Sequence, residues 1–324
     1  MIEYILPLII TFILTVLCGR FLLPVLVRLK AGQTERESGP ASHKNKNGTP
    51  TMGGLIFLIP WIAVSAFYIP THRNIAPILI STVLFALIGF IDDYLKVVKK
   101  HNLGLRAWQK FTMQILAALV VLLYIKYFTN ISFDMRVPFS ALFTTAGTAA
   151  MISPGILAIP IEIIVICGTT NGSNFTDGLD GLAASVTAVI TIFITVASVI
   201  TVSGIAPASM AFLGGLLGFL VYNHYPAKVF MGDTGSLSLG GFTSAAFIMM
   251  NMPIYILIAA FIYFAEVMSV VIQVSYYNAT GGKRFFKMAP IHHHFELSGL
   301  SEVKVVLIFS AATLVLVLVG LAAI

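Results

Sequence analysis

Aspartate is sparse and unevenly placed in this chain. Of six in 324 residues, Asp92, Asp93, Asp177, Asp180 and Asp233 fall in three separated clusters where an apolar stretch gives way to a polar one, and only Asp134 stands apart. A single aspartate at such a boundary is an ordinary helix cap or a solvated interface group. Three clusters set among Gly, Asn and Thr exceed what capping needs. Carboxylates beside short amides, hydroxyls and lysines can hold a hydrated divalent cation and handle phosphate or sugar oxygens. In Gly89-Phe90-Ile91-Asp92-Asp93-Tyr94-Leu95-Lys96, neighbouring helical residues point about 100° apart, so the two carboxylates divide their work unless the helix ends there. Adjacent negative charges also oppose each other's ionisation, which favours a bound cation or one raised pKa. Lys96 stands where a DDxxD motif needs its last aspartate, which argues against diphosphate chelation by this segment alone.

The second cluster, Asn171 to Leu182, reads as a polar, Gly-rich link opening a new helix, with Asp177 and Asp180 three apart on one helix face. Asn174 and its neighbours suit sugar hydroxyls, a uracil edge or hydrated Mg²⁺; the EF-hand spacing is missing. The third, Tyr222 to Ser236, is rich in turn residues and places Asp233 just before a helix. Asp233 there is either an N-cap or part of a phosphate seat at the helix N-terminus with Mg²⁺, and Phe230 could stack on a base. The fourth, Ala289-Pro290-Ile291-His292-His293-His294-Phe295-Glu296, cannot copy HExxH, whose ligands lie one helical turn apart. Its imidazoles either pack a polar loop or hold phosphate and activated oxygen. In the fifth, Lys44 to Gly54, Lys46 and Thr51 could contact phosphate, with Lys46 equally a topology determinant, and no GxxxxGK[ST] loop occurs anywhere.

These clusters need elements to hold them, and composition says which. Hydrophobic residues make up 58% of the chain and charged ones 10%, against about 25% charged in soluble domains, so a soluble globule is excluded. Apolar runs of helical length suggest ten spans near 4–27, 51–70, 76–92, 107–127, 152–168, 179–203, 207–222, 236–251, 253–276 and 303–323. The expected fold class is an all-α polytopic membrane protein, one domain over 1–324. The first run is too long for the core of a secretory signal and lacks a basic lead, so it reads as a span. Alternating loops divide the nineteen basic residues fifteen to three, with Arg20 inside the first span. That bias places the basic loops and all clusters at the cytoplasmic face and both termini outside. It also accounts for the formal charge of +6 without nucleic acid. Cys18 and Cys167 read as small core residues, and Glu162 and Glu266, in apolar runs, are left without a role.

Taken in order, GTPTMGG at 48–54, GFIDDYLK at 89–96, NFTDGLDGLA at 174–183, NHYPAKVFMGDTGS at 223–236 and APIHHHFE at 289–296 resemble the phospho-N-acetylmuramoyl-pentapeptide-transferase family, a branch of the polyprenyl-phosphate N-acetylhexosamine-1-phosphate transferases. The resemblance runs through nearly the whole chain and implies a Mg²⁺-dependent enzyme of the bacterial cytoplasmic membrane. Undecaprenyl phosphate would attack the sugar-linked phosphorus of UDP-MurNAc-pentapeptide, giving lipid I and UMP. It further implies that Asp92 and Asp93 lie near the attacking lipid phosphate, that Asp233 binds Mg²⁺, and that His292, His293 and His294 hold the diphosphate or sugar. Lys46, Thr51, Lys96, Asn174, Asp177, Asp180, Asn223, Phe230 and Gly232 would line the nucleotide-sugar cleft. Membrane lipids are the expected surroundings, and a homodimer is left open.

The chemistry independently suits such a reaction: a lipid phosphate stays in the bilayer and a nucleotide sugar in water, so their site must sit at the interface, where cations offset the repulsion of two anions. A transporter would place ionisable groups near the midplane in related halves, whereas these cluster on one face and no repeat occurs. Intramembrane prenyl transfer would need richer DDxxD clusters, and transfer of another hexosamine phosphate is the remaining alternative.

Overall fold

A computed structural model describes residues 2–29, 48–97, 99, 104–143 and 149–324. Twelve α-helices carry the described chain: α1 Ile2–Arg28, α2 Gly54–Tyr68, α3 Ile75–Val97, α4 Ala107–Phe128, α5 Ala158–Thr176, α6 Leu182–Ile200, α7 Ala206–Asn223, α8 Gly232–Met249, α9 Ile256–Ala259, α10 Phe261–Ala279, α11 Ile291–Glu296 and α12 Glu302–Ala322. Two two-residue strands between α4 and α5 pair antiparallel, Met135 opposite Ile152.

Seven of these helices are long and apolar enough to cross a membrane, eight if α9 and α10 form one span. Their outward faces are apolar: α1 exposes Ile5, Ile9, Ile13, Leu17 and Phe21, and α12 exposes Leu307, Leu314 and Leu318. Surfaces of that kind belong in lipid. A helix occupies each of the ten expected stretches, but α2 has only 15 residues, and α8, rich in Gly, Ser and Thr, does not qualify as a span by itself.

The composition of α8 follows from its position. Every residue from Thr234 to Met249 is buried, because α2, α3, α5 and α6 pack around the helix. A helix wrapped in protein need not be apolar toward lipid, and its small residues let neighbours close in. A Cβ at Gly240 would lie 2.3 Å from Thr170 Cα, and one at Gly89 of α3 would lie 2.0 Å from the Asp233 carbonyl oxygen. Hydroxyls of α8 bond backward within it, Ser244 to the Gly240 carbonyl at 2.8 Å.

Three boundaries differ from the sequence reading. Helix α5 continues to Thr176 through the polar stretch expected to be a link. Its side chains bond back to the preceding turn, Asn171 to the Cys167 carbonyl at 2.7 Å and Thr176 to Gly172 at 2.8 Å, so polar residues extend the helix. Asp177 is therefore the residue that ends α5, and Asp180 lies in the turn before α6; the two share no helix face. Helix α8 begins at Gly232, which puts Asp233 inside its first turn rather than before it. The expected span 253–276 is broken at Ala260, where α9 and α10 meet at 84°; neither Pro nor Gly marks the break.

Candidate active site

Helix α8 delivers Asp233, and α3 secures the delivery. Asp93 is fully buried, and its carboxylate accepts the backbone N–H of Asp233 at 3.1 Å, the N–H of Thr234 at 2.9 Å and the Thr234 hydroxyl at 2.6 Å. These are N–H groups that a helix start leaves without partners, and a carboxylate there also meets the positive end of the helix dipole. Gly232, at φ +73°, turns the chain into α8 in a conformation suited to glycine, and a Cβ there would lie 2.7 Å from Asp93 Oδ2 and from Thr51 Oγ1. The start of α2 is tied alongside: Phe230 N–H donates to the Pro50 carbonyl at 2.8 Å, and Gly53 N–H to the Phe230 carbonyl at 2.9 Å.

Around Asp233 of α8 the structure gathers side chains from α3, α4 and α5. Oδ2 takes the ammonium groups of Lys96 at 3.0 Å and Lys110 at 3.1 Å, while Oδ1 accepts from the Asn174 amide at 2.8 Å. Lys110 also donates to Asn174 Oδ1 at 3.2 Å. Asp92 faces the same lysine from the other side, 2.5 Å from Lys96 Nζ, and accepts the Leu105 N–H at 2.6 Å. Burial penalises the Asp233 charge, but Lys110, Asp92, Lys96 and Asn174 together hold its carboxyl well below the usual carboxylate range. Asp177 is opposite in character. Burial, then the negative charges of Asp233, Asp93 and Asp180, push its carboxyl well above the ordinary value.

The remaining sequence-predicted residues sit at varied distances from this cluster. Thr51 is buried beneath Gly232 with an unpartnered hydroxyl. Asn223 is 3% exposed and uses its amide to tie Gly181 N–H, at 3.1 Å, to the Val229 carbonyl, at 2.9 Å. Asp180 accepts the Ala227 N–H at 2.8 Å while its own N–H donates to Glu302 at 2.6 Å. Both therefore brace the turns around the cluster. Phe230 is half-buried. Lys46 lies outside the described residues. The three histidines of α11 point to different partners: His292 Nδ1 to Glu266 at 3.0 Å, His293 Nδ1 to Glu296 at 2.8 Å, and His294 Nδ1 to the Lys287 N–H at 3.2 Å.

Two participants escaped the sequence reading. Lys110 was counted only as a basic loop residue; its signal was the spacing to Gln114, which puts both polar side chains on one face of an apolar helix, and Gln114 bonds Asn171 at 2.8 Å. Glu266 stood out as an acidic residue in an apolar run but received no role, because its partners lie 25 and 26 residues away.

Among the described residues, no three His, Cys, Asp or Glu side chains form a protein-only metal cage. Mg²⁺ does not require one: it keeps several waters and binds through one or two carboxylates plus substrate phosphates. Asp233, whose partners hold it ionised, fits that role, and Asp177 lies near enough for the two carboxyl groups to influence each other.

The profile of Glycosyl transferase family 4 matches residues 75–251, and Phospho-N-acetylmuramoyl-pentapeptide-transferase signature 1 matches residues 46–58. The phospho-N-acetylmuramoyl-pentapeptide-transferase of Acetivibrio thermocellus is 48% identical over 96% of this chain and 92% of its own length. Those of Clostridium botulinum strain Alaska E43 and Carboxydothermus hydrogenoformans are 44% and 43% identical, over 95% and 97% of this chain and 93% and 96% of theirs. With the motifs, the fold and near full-length similarity in agreement, the chain belongs to the phospho-N-acetylmuramoyl-pentapeptide-transferase family.

Proposed function

We propose that the chain transfers phospho-MurNAc-pentapeptide from UDP-MurNAc-pentapeptide to undecaprenyl phosphate, forming lipid I and UMP in peptidoglycan synthesis, with Mg²⁺ as cofactor. The carrying observation is the convergence of α3, α4, α5 and α8 on Asp233, with two lysines on one of its oxygens. In this reading ten spans with both termini outside would place the cluster at the cytoplasmic face of the inner membrane of a bacterium, where a lipid phosphate and a soluble nucleotide can meet.

An oxygen of the lipid phosphate forms a bond to the sugar-linked phosphorus as the bond from that phosphorus to the UMP oxygen breaks, and UMP departs with the electron pair. A phosphate monoester's second pKa is about 6, so the attacking group is already largely ionised and a strong base is unnecessary. Phosphoryl transfer asks the protein for position and charge compensation. Lys96 and Lys110 supply positive charge beside Asp233, and Asp92 holds Lys96 in place. Bound at Asp233, Mg²⁺ would neutralise diphosphate oxygens. Asn174 orients the Asp233 carboxylate, and Asp93 holds the helix that carries it.

The test is UMP release by purified protein supplied with Mg²⁺, undecaprenyl phosphate and UDP-MurNAc-pentapeptide. Release with UDP-N-acetylglucosamine and none with the pentapeptide substrate would move the chain to another hexosamine-phosphate transferase activity.

A further inference from the structure

Glu266 is fully buried in α10 and gives both carboxylate oxygens to α11. Oε2 accepts the Ile291 backbone N–H at 3.0 Å, and Oε1 lies 3.0 Å from His292 Nδ1. Ile291 opens α11, so its N–H has no partner within that helix. A carboxylate oxygen is a hydrogen-bond acceptor, which makes Nδ1 the donor of the second contact. In the tautomer with its proton there, Nε2 is bare. That atom is buried without a hydrogen-bond partner and is aimed at the link between α5 and α6: a Cβ on Gly178 would lie 2.1 Å from it. Gly178 follows Asp177 directly, so the ring edge rests on the stretch that carries Asp177 of the site.

We propose that Glu266 is a positioning residue for the transfer reaction: acting through Nδ1, it fixes the orientation and tautomer of His292 so that Nε2 faces the 177–181 link as a hydrogen-bond acceptor. Resting on the transferase reading, the inference narrows what meets this histidine. A bare ring nitrogen accepts hydrogen bonds and repels phosphate oxygen, so this enclosed atom is no diphosphate ligand. The diphosphate is left to Lys96, Lys110 and the cation.

Glutamine at 266 makes the decisive variant. Its carbonyl can keep the Ile291 N–H while its NH₂ donates to Nδ1, which moves the ring proton to Nε2 and preserves both contacts. Solid-state nitrogen NMR of histidine-labelled protein in lipid, with the His292 signal identified by its loss in His292→Asn, reads the tautomer without any substrate. The expected spectrum has Nδ1 protonated and Nε2 bare in the wild type and in Glu266→Asp, and the reverse in Glu266→Gln. Wrong-tautomer variants of histidine sites lose activity steeply, so kcat/KM for UMP release should fall by about 100-fold or more in Glu266→Gln, with an unchanged unfolding midpoint. Glu266→Asp should recover a substantial part of that loss. A neutral wild-type ring protonated on Nε2 would overturn the proposal, as would wild-type turnover by Glu266→Gln or a Glu266→Asp no better than Gln. If Glu266→Gln does not fold, the wild-type and Glu266→Asp spectra decide. If the wild type itself releases no UMP, the transferase reading fails while the spectrum still judges the Glu266 assignment.

Discussion

Asp93 grips the first turn of the helix that bears Asp233, taking the backbone N–H of Asp233 at 3.1 Å and that of Thr234 at 2.9 Å. The acidic pair on α3 thus splits into a residue that holds α8 and a residue, Asp92, that holds Lys96. Asp93→Ala would leave two N–H groups and a hydroxyl unpaired, at a cost of about 1–3 kcal/mol for each that stays buried. The expected result is a lowered thermal midpoint in detergent together with lost UMP release. Asp93→Asn, which keeps one acceptor, should fall between Ala and wild type in stability. Loss of activity by Ala with an unchanged midpoint would show that Asp93 does not anchor α8.

Lys110 and Lys96 share one oxygen of Asp233. Lys110→Gln removes one positive charge where the transferring phosphoryl group needs compensation, and losing one such preorganised group costs about 10²–10³ in kcat. Lys126, on the same helix at its far end, is the control: Lys126→Gln should leave kcat unchanged. Steady-state UMP assays on the two variants check this.

For Asp177 the sign of the pH dependence follows from its raised carboxyl pKa. The folded state holds a proton there that the unfolded state has already released, so above the ordinary carboxylate value of about 3.9 stability falls as pH rises, until the folded pKa is passed. A cation at Asp233 favours the ionised form and expels that proton. Mg²⁺ binding should therefore tighten as pH rises from the ordinary carboxylate value toward the raised folded one, by at most about tenfold per unit for one proton, and Asp177→Asn should flatten the dependence. Mg²⁺-induced shifts of the unfolding midpoint, measured across this range, provide the check. Weaker Mg²⁺ stabilisation at higher pH would contradict it.

Gly89 is where the α3 backbone abuts the first turn of α8. A methyl group there would meet the Asp233 carbonyl at 2.0 Å, and backbone cannot yield as a flexible side chain can. Gly89→Ala should destabilise by about 1–3 kcal/mol, the usual range for overpacking, and lower turnover by displacing Asp233. Thermal unfolding and UMP release measured together would show both losses. Gly281, with open space around it but a left-handed φ of +66°, should on Ala substitution lose stability without comparable loss of kcat.

The parts of the fold that announce themselves in the sequence are those facing lipid. Long apolar runs such as α1 and α12 carry their environment in their composition. Helix α8 does not, because protein surrounds it; its Gly and Ser record close packing against α3 and α5, which no local pattern reveals. The Asn171–Asn174 stretch misled for a related reason, as side chains that usually mark a link bond back along α5. In the site, residues in dense polar motifs such as Asp92, Asn174 and Asp233 were legible from the company they keep. Lys110 and Glu266 were not, since each stands alone in an apolar helix and acquires its partners only when distant helices meet.

From Thr234 to Met249 helix α8 is enclosed by protein, so changes in membrane thickness or fluidity act on it through the helices that wrap it. The outer faces of α1 and α12 are free to adapt to the fatty acids of a given cell envelope, while the axis holding the reacting groups keeps its alignment.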